Sequence, residues 1–252
     1  FMGETAKILC PDKKVLVPDL NAGCSLADSC PATEFAEFVK QHPGHTVISY
    51  VNTTAAVKAV TDVVVTSTNA RQIVESFPEG TPMIFGPDRN LGNYINSITG
   101  RNMLLWDGAC HVHEQFSLEK ILSLKKQYPN AEVITHPECK QPVIQVSDFV
   151  GSTAALLKHT IKSDAKQFIV ATESGVIHEM RKRSPDKEFI PAPPNDSTCA
   201  CNECNFMRLN TMEKLYNCLK FEMPEIFVDE EVQKKAIKPI KKMLEISEKL
   251  GL

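Results

Sequence analysis

Short runs of β-branched and other apolar residues alternate along this chain with stretches whose apolar positions recur three and four apart. The runs at 14–17, 46–51, 62–66 and 83–85 have the length and composition of strands. Between them, Phe35, Phe38 and Val39 share one face of a helix that follows Pro31 and stops at His42-Pro43. Ile73, Val74 and Phe77 share a face of another, expected to open at Ser67-Thr68. A further helix ends at Gly100, and residues 1–9 also read as helix. Strands alternating with helices of about ten residues predict an α/β fold, a parallel sheet covered by helices.

From Met103 the same order starts again. Residues 103–106 answer 14–17, and Gly108-Ala-Cys110 answers Ala22-Gly-Cys24. The helix ending Gln127-Tyr-Pro129 answers the one ending Gln41-His-Pro43, 133–135 answers 47–49, and 168–171 answers 84–86. Val150-Gly-Ser152-Thr153 answers Val65-Thr-Ser67-Thr68. Cys110 lies 86 residues after Cys24, Ser152 lies 85 after Ser67, and Cys204 lies 94 after Cys110 across a link holding Pro191, Pro193 and Pro194. A repeat this long is a duplicated domain, not a solenoid unit. The tail reads as helix over 211–221 and 229–251, with Pro239 expected to kink or break the last one.

With 252 residues, 42% of them hydrophobic, the chain can bury a substantial core. A net charge of −3 offers no basic surface to track phosphates, so no nucleic-acid partner is expected. No apolar run approaches the roughly 18 residues of a membrane span. Residues 1–9 lack the pattern of a signal peptide, and the nine cysteines are an odd number. Together these argue against a disulfide framework and for the thiols of a cytoplasmic protein, some of them metal ligands.

In parallel α/β units ligands gather beyond the carboxyl ends of strands. Cys24, Cys110 and the Cys199-x-Cys201-x-x-Cys204 group all fall in such loops, Cys110 within Trp106-Asp-Gly-Ala-Cys-His-Val-His-Glu-Gln-Phe116 between an apolar run and an amphipathic one. If the repeats pack around a pseudo-threefold axis, three thiolates can converge there. Two metals suit such thiols. Zinc would draw on Cys201 and Cys204 with His111 or His113, whereas an iron–sulfur cluster would draw on three distant cysteines. Cys10, Cys30, Cys139 and Cys218 read as ordinary buried or idle thiols. Ser67-Thr68 and Ser152-Thr153 suit anion binding at helix starts or plain capping. His136-Pro-Glu138 and Tyr50-Val-Asn52 occupy corresponding strand ends, where residues two apart face the same side. A His beside a carboxylate can do acid–base work on a small polar substrate.

In family order, these stretches resemble the quinolinate synthases. The resemblance runs through the Cys24 loop, Tyr50-Val-Asn52, Thr66-Ser67, Gly86-Pro-Asp-Arg-Asn-Leu-Gly92, Gly108-Ala-Cys110-x-Val-His113, His136-Pro-Glu-Cys139, Val150-Gly-Ser-Thr153, Thr172-Glu-x-Gly-x-x-His178 and the cysteine-rich turn before Asn205-Phe-Met-Arg-Leu-Asn210. It implies three similar α/β domains of short parallel sheets flanked by helices, around a pseudo-threefold axis: residues 1–25 with 205–252, 26–111, and 112–204. It also implies a [4Fe–4S] cluster held by Cys24, Cys110 and Cys204, whose open iron acts as a Lewis acid. The reaction implied is condensation of iminoaspartate with dihydroxyacetone phosphate, losing phosphate and water to give quinolinate, a step of NAD biosynthesis. Glu138, His136 and Tyr50 become the catalytic candidates, and Asn52, Ser67, His113, Ser152 and Thr153 the substrate-binding ones. An aspartate-oxidising enzyme is the expected source of iminoaspartate. The contrasting expectation is a structural-zinc α/β protein that binds anionic metabolites without converting them.

The chain departs from the family pattern twice. A preceding segment with a His-x-Tyr strand end and a Gly-Asp-Ser turn has no counterpart here, so the first domain is expected to be incomplete and the 252-residue chain inactive by itself. The spacing Cys199-x-Cys201-x-x-Cys204 replaces a Cys-x-x-Cys-x-x-Cys of some relatives, which leaves open which of these thiols binds iron.

Overall fold

The computed structural model describes residues 1–196 and 203–252, and the chain packs as two compact units, residues 1–108 with 205–252 and residues 109–204. The first unit opens with α1 (Met2–Leu9), α2 (Ser25–Asp28) and α3 (Ala32–Gln41). It continues through β1 (Thr46–Tyr50), α4 (Ala55–Lys58), β2 (Val63–Val65), α5 (Ala70–Glu75), β3 (Met83–Gly86), α6 (Arg89–Thr99) and β4 (Leu104–Leu105). The strands form one parallel sheet in the order β2-β1-β3-β4. Every residue of β2 and β3 is buried, which is why these strands read as unbroken apolar runs rather than as alternation.

The second unit repeats this plan. It holds α7 (His111–Glu114), α8 (Leu118–Gln127), β5 (Glu132–Thr135), α9 (Gln141–Gln145), β6 (Phe149–Val150), α10 (Thr153–Lys162), β7 (Gln167–Ala171), α11 (Val176–Arg183) and β8 (Glu188–Pro191). Its parallel sheet has the order β6-β5-β7-β8, the first sheet's order again. Duplication reaches individual hydrogen bonds. Asp62 Oδ2 accepts from the Val47 amide at 2.8 Å, and Asp148 Oδ2 from the Val133 amide at 2.8 Å. The Ser49 and Thr61 hydroxyls meet at 2.8 Å, those of Thr135 and Ser147 at 2.5 Å. The chain then returns to the first unit with α12 (Asn205–Arg208), α13 (Met212–Phe221) and α14 (Glu230–Lys249).

Each unit is held by buried apolar clusters. In the first, Cys30, Phe35, Val47, Val57 and Ile84 form one, with Trp106 edge-on to Phe35 at 5.5 Å and its indole N–H donating to Ser29 O at 2.9 Å. Ile8, Ala55, Val64, Ala236 and Ile240 form another, which ties α1 and α14 to the sheet. In the second unit, Phe116, Ile121, Val133, Cys139, Val143 and Ile169 pack under β5 and β7. The expected first and second domains, 1–25 with 205–252 and 26–111, fall in the first unit apart from 109–111. The expected third, 112–204, lies within the second.

Three expected elements differ. Residues 14–17 form no strand: Leu16 makes one isolated antiparallel bridge to Glu225, because Pro18 follows at once and Pro224 on the facing segment has no N–H to give. The helix expected at Ser67-Thr68 starts at Ala70, since the Asn69 side chain turns back to accept from the Thr66 amide at 2.7 Å and the Thr66 hydroxyl at 3.0 Å. Finally, α14 does not break at Pro239. The proline is buried inside a continuous helix whose Ala236 and Ile240 pack in the core, and that burial outweighs one lost helical hydrogen bond.

Candidate active site

In the second unit four polar side chains gather beyond the carboxyl ends of β5 and β7, and all are nearly closed to solvent. The chain leaves β5 at Thr135 and turns over His136–Cys139. The His136 amide donates to Ala171 O at 3.1 Å, the Cys139 amide to His136 O at 3.0 Å, and the Cys139 thiol to Ala171 O at 3.4 Å. His136 and Glu138 therefore sit on a turn pinned to β7, not on a strand as the spacing suggested. The short α7, begun by Cys110 as its N-cap, brings in His113. Thr172 follows β7.

His113 joins these parts. Its Nε2 lies 3.1 Å from the Thr172 hydroxyl, and its ring stacks on that of His136 with centroids 4.8 Å apart. Nδ1 lies 3.0 Å from Glu138 Oε2 but off the hydrogen-bond line, so the two are in close electrostatic contact without a formed hydrogen bond. Glu138 is 3% exposed and His136 4%. Burial pushes the His136 imidazole down to about 4, against the Glu138 carboxylate, which favours the cation, and with His113, which opposes it. His136 is neutral near pH 7. Its Nδ1 accepts from the Glu138 amide at 3.4 Å, which leaves the proton on Nε2. The 3.7 Å approach of His136 Nδ1 to Glu138 Oε1 thus joins a carboxylate to a neutral ring.

Cys110 completes the group, since its sulfur and the ligand atoms of His113 and Glu138 lie within 4.8 Å of one another, a donor set able to hold a metal ion. His111, next to it, is lowered first by burial and then by His113. Nearby, Glu173 Oε1 accepts from the Cys204 amide at 3.4 Å while its Oε2 accepts from the Gly175 amide at 2.7 Å, so one carboxylate holds the backbone of the Cys204 segment. Cys199 and Cys201 lie outside the described residues.

The remaining candidates divide between the units. Ser152 is the N-cap of α10, its hydroxyl accepting from the Ala155 amide at 3.3 Å, and Thr153 is the first, exposed residue of that helix. In the first unit Cys24 is the half-buried N-cap of α2, Tyr50 closes β1 at 6% exposure, and Asn52 and Ser67 are half-buried turn residues. Cys30, Cys139 and Cys218 are buried, and burial raises the Cys30 thiol to about 12, as inert core thiols require. Sequence reasoning passed over Thr172 and Glu173 as site residues, although Thr172 was legible in principle, being the first residue past a strand end.

The family model described as Quinolinate synthetase A protein matches residues 1–245. The chain belongs to this family. It is 57% identical to the quinolinate synthase of Thermosynechococcus vestitus over 247 residues, which are 98% of this chain and 77% of that protein. The quinolinate synthases of Chloroherpeton thalassium and Nostoc punctiforme are also 57% identical, over 98% of this chain and 77% and 76% of their own lengths. Members of the quinolinate synthetase A family are enzymes of NAD biosynthesis, and so is this chain. Among the described residues no helix is long and apolar enough to cross a membrane.

Proposed function

We propose that this protein forms quinolinate from iminoaspartate and dihydroxyacetone phosphate, with loss of phosphate and water. The observation that carries the reading is family membership over nearly the whole chain, and the buried His113–Glu138–His136 group gives it chemistry. Glu138 is the proton-moving group: its carboxylate is nearly dry, with His113 Nδ1 3.0 Å away. Neutral His136 orients substrate through Nε2–H, and His113 is held for the same task by Thr172. Tyr50 assists from the end of β1. Asn52, Ser67, Ser152 and Thr153 supply polar groups for the carboxylates and phosphate of the two anionic substrates.

The same reading assigns a [4Fe–4S] cluster to Cys24, Cys110 and Cys204. The donor chemistry fits: these three thiols are half-buried and so reachable, as is Cys10, whereas Cys30, Cys139 and Cys218 are buried. When bound, the cluster supplies an iron with an open position that acts as a Lewis acid toward substrate oxygen. A second reading rests on the Cys110–His113–Glu138 geometry, which suits a single metal ion such as zinc in a protein that binds anionic metabolites without converting them.

Iron, sulfide and zinc assays on anaerobically reconstituted protein separate the two, together with the visible spectrum and calorimetric titration with quinolinate. Iron and sulfide in equal amounts and quinolinate binding are the expected results. A colourless protein with stoichiometric zinc would refute the cluster. Cys110→Ala should abolish the iron–sulfur absorption and Cys139→Ala should retain it; equal loss in both would overturn the ligand assignment.

A further inference from the structure

We propose that Lys58 is a positioning residue that holds the turn carrying Asn52 in the shape that meets an anionic ligand. The inference rests on the reading of Asn52 as a ligand-binding group given above. Lys58 ends α4 and is fully buried, with its Nζ donating to Val51 O at 2.9 Å, Thr53 O at 2.5 Å and Thr53 Oγ1 at 3.3 Å. Thr53, also fully buried, donates its amide to Val51 O at 2.8 Å and its hydroxyl to Tyr50 O at 3.0 Å. The carbonyls at 50, 51 and 53 are thus tied down on both sides of Asn52. The Asn52 side chain is half-buried and takes no part in this network, with no hydrogen-bond partner among the described residues.

A buried ammonium whose acceptors are neutral oxygens is costly to keep, and burial lowers its pKa to about 8 although Glu4 works against the shift. The duplicated unit shows that the fold does not demand it. Val57 and Thr61 recur as Val143 and Ser147, and the same hydroxyl-to-carbonyl bond recurs at 2.8 Å in both. Lys58 recurs as Ile144, which packs against the apolar core. Helix-on-sheet packing at this position is therefore satisfied by an apolar residue. What distinguishes the first unit is the turn that the lysine clamps.

The test compares Lys58→Met, Thr53→Val and Thr53→Ser in the reconstituted full chain. Three quantities are read: exchange of the Thr53 amide by NMR, quinolinate affinity by calorimetry, and the thermal midpoint. Lys58→Met and Thr53→Val are expected to speed Thr53 exchange and raise the quinolinate Kd about tenfold each, with cluster absorbance kept, while Thr53→Ser restores both. A merely structural lysine would lower the midpoint but leave Thr53 exchange and affinity as in the wild type, and that result overturns the proposal. Should Lys58→Met fail to fold, the Thr53→Val and Thr53→Ser pair decides, and equal behaviour of the two refutes it. Wild-type protein that binds no quinolinate sinks the functional reading instead, and the exchange measurements still decide whether Lys58 fixes the turn.

Discussion

His136 sets up a direct measurement of how the site is built. Its imidazole is 4% exposed and lies at about 4, against about 6.5 for the same side chain in an unfolded chain. The folded value is the lower one, so between pH 6.5 and 4 the unfolded state binds the extra proton and the folded state does not. Stability contributed by the neutral ring is then full above pH 6.5 and lost as pH falls through that window, at about 1.4 kcal/mol per pH unit and about 3 kcal/mol in all. Two assays report it. In an NMR titration of ring-labelled histidine, the His136 signal should hold its neutral shift down to pH 5. In urea unfolding between pH 4.5 and 7.5, wild-type stability minus that of His136→Gln should fall with decreasing pH at the stated slope; carboxylates common to both proteins cancel in the difference. Glu138→Gln should lower the His136 midpoint further, because the carboxylate is the group favouring the cation. A midpoint at 6.5 or above, or a difference that does not vary with pH, would refute the picture of a dry, neutral ring donating from Nε2.

Other perturbations read other parts of the structure. Thr172→Val removes the partner of the buried His113 Nε2 and should cost about 1–3 kcal/mol in denaturant unfolding, with Thr172→Ser near wild type; equal loss in both would mean that shape, not the hydroxyl, matters. Gly108→Ala would place a Cβ 2.5 Å from Pro87 O, a backbone atom that cannot swing away, and should lower the thermal midpoint by an amount corresponding to about 1–3 kcal/mol. An unchanged midpoint would show that the segment leading to Cys110 can shift freely.

What the sequence disclosed depended on whether a feature lived in local pattern or in three dimensions. Strands β1, β2 and β3 were legible because Val47, Ile48, Val63, Val64, Val65, Ile84 and Phe85 are buried on a covered parallel sheet and so appear as continuous apolar runs. Duplication was legible because paired residues recur at nearly constant spacing, Cys24 with Cys110 and Ser67 with Ser152 among them. The ends of elements were less so. Nothing local announces that Asn69 spends its side chain on Thr66, which delays α5 to Ala70. At Pro239, tertiary packing of Ala236 and Ile240 overrides a proline that by itself argues for a break. At the site, His136 and Glu138 were found together by adjacency, whereas their contact with His113 and Thr172 joins α7 to the ends of β5 and β7 and is visible only once the sheet order is known.

The duplicated scaffold also shows how one fold supports the same turn in two ways. Each unit leaves its second-position strand into a turn. In the first unit that turn is Tyr50-Val-Asn-Thr53, in the second His136-Pro-Glu-Cys139. Both turns must satisfy buried carbonyls near a sheet end, and they do so differently. The second borrows β7, with Ala171 O accepting from the His136 amide and the Cys139 thiol, so the turn is locked by sheet backbone and its side chains are free to be ionisable. The first uses a buried ammonium, Lys58, reaching Val51 O and Thr53 O from α4. A cation placed there would bias a neighbouring acid or histidine strongly, and Asn52, a neutral amide, keeps its charge state whatever the field. Exchanging the two devices should therefore fail asymmetrically: Asn52→Asp puts a negative charge where the proposal has an anionic ligand bind and should bind quinolinate more weakly. Glu138→Gln keeps its backbone lock and should retain the turn while losing the carboxylate proposed to move protons. Tighter quinolinate binding by Asn52→Asp would show that the turn does not face an anion at all.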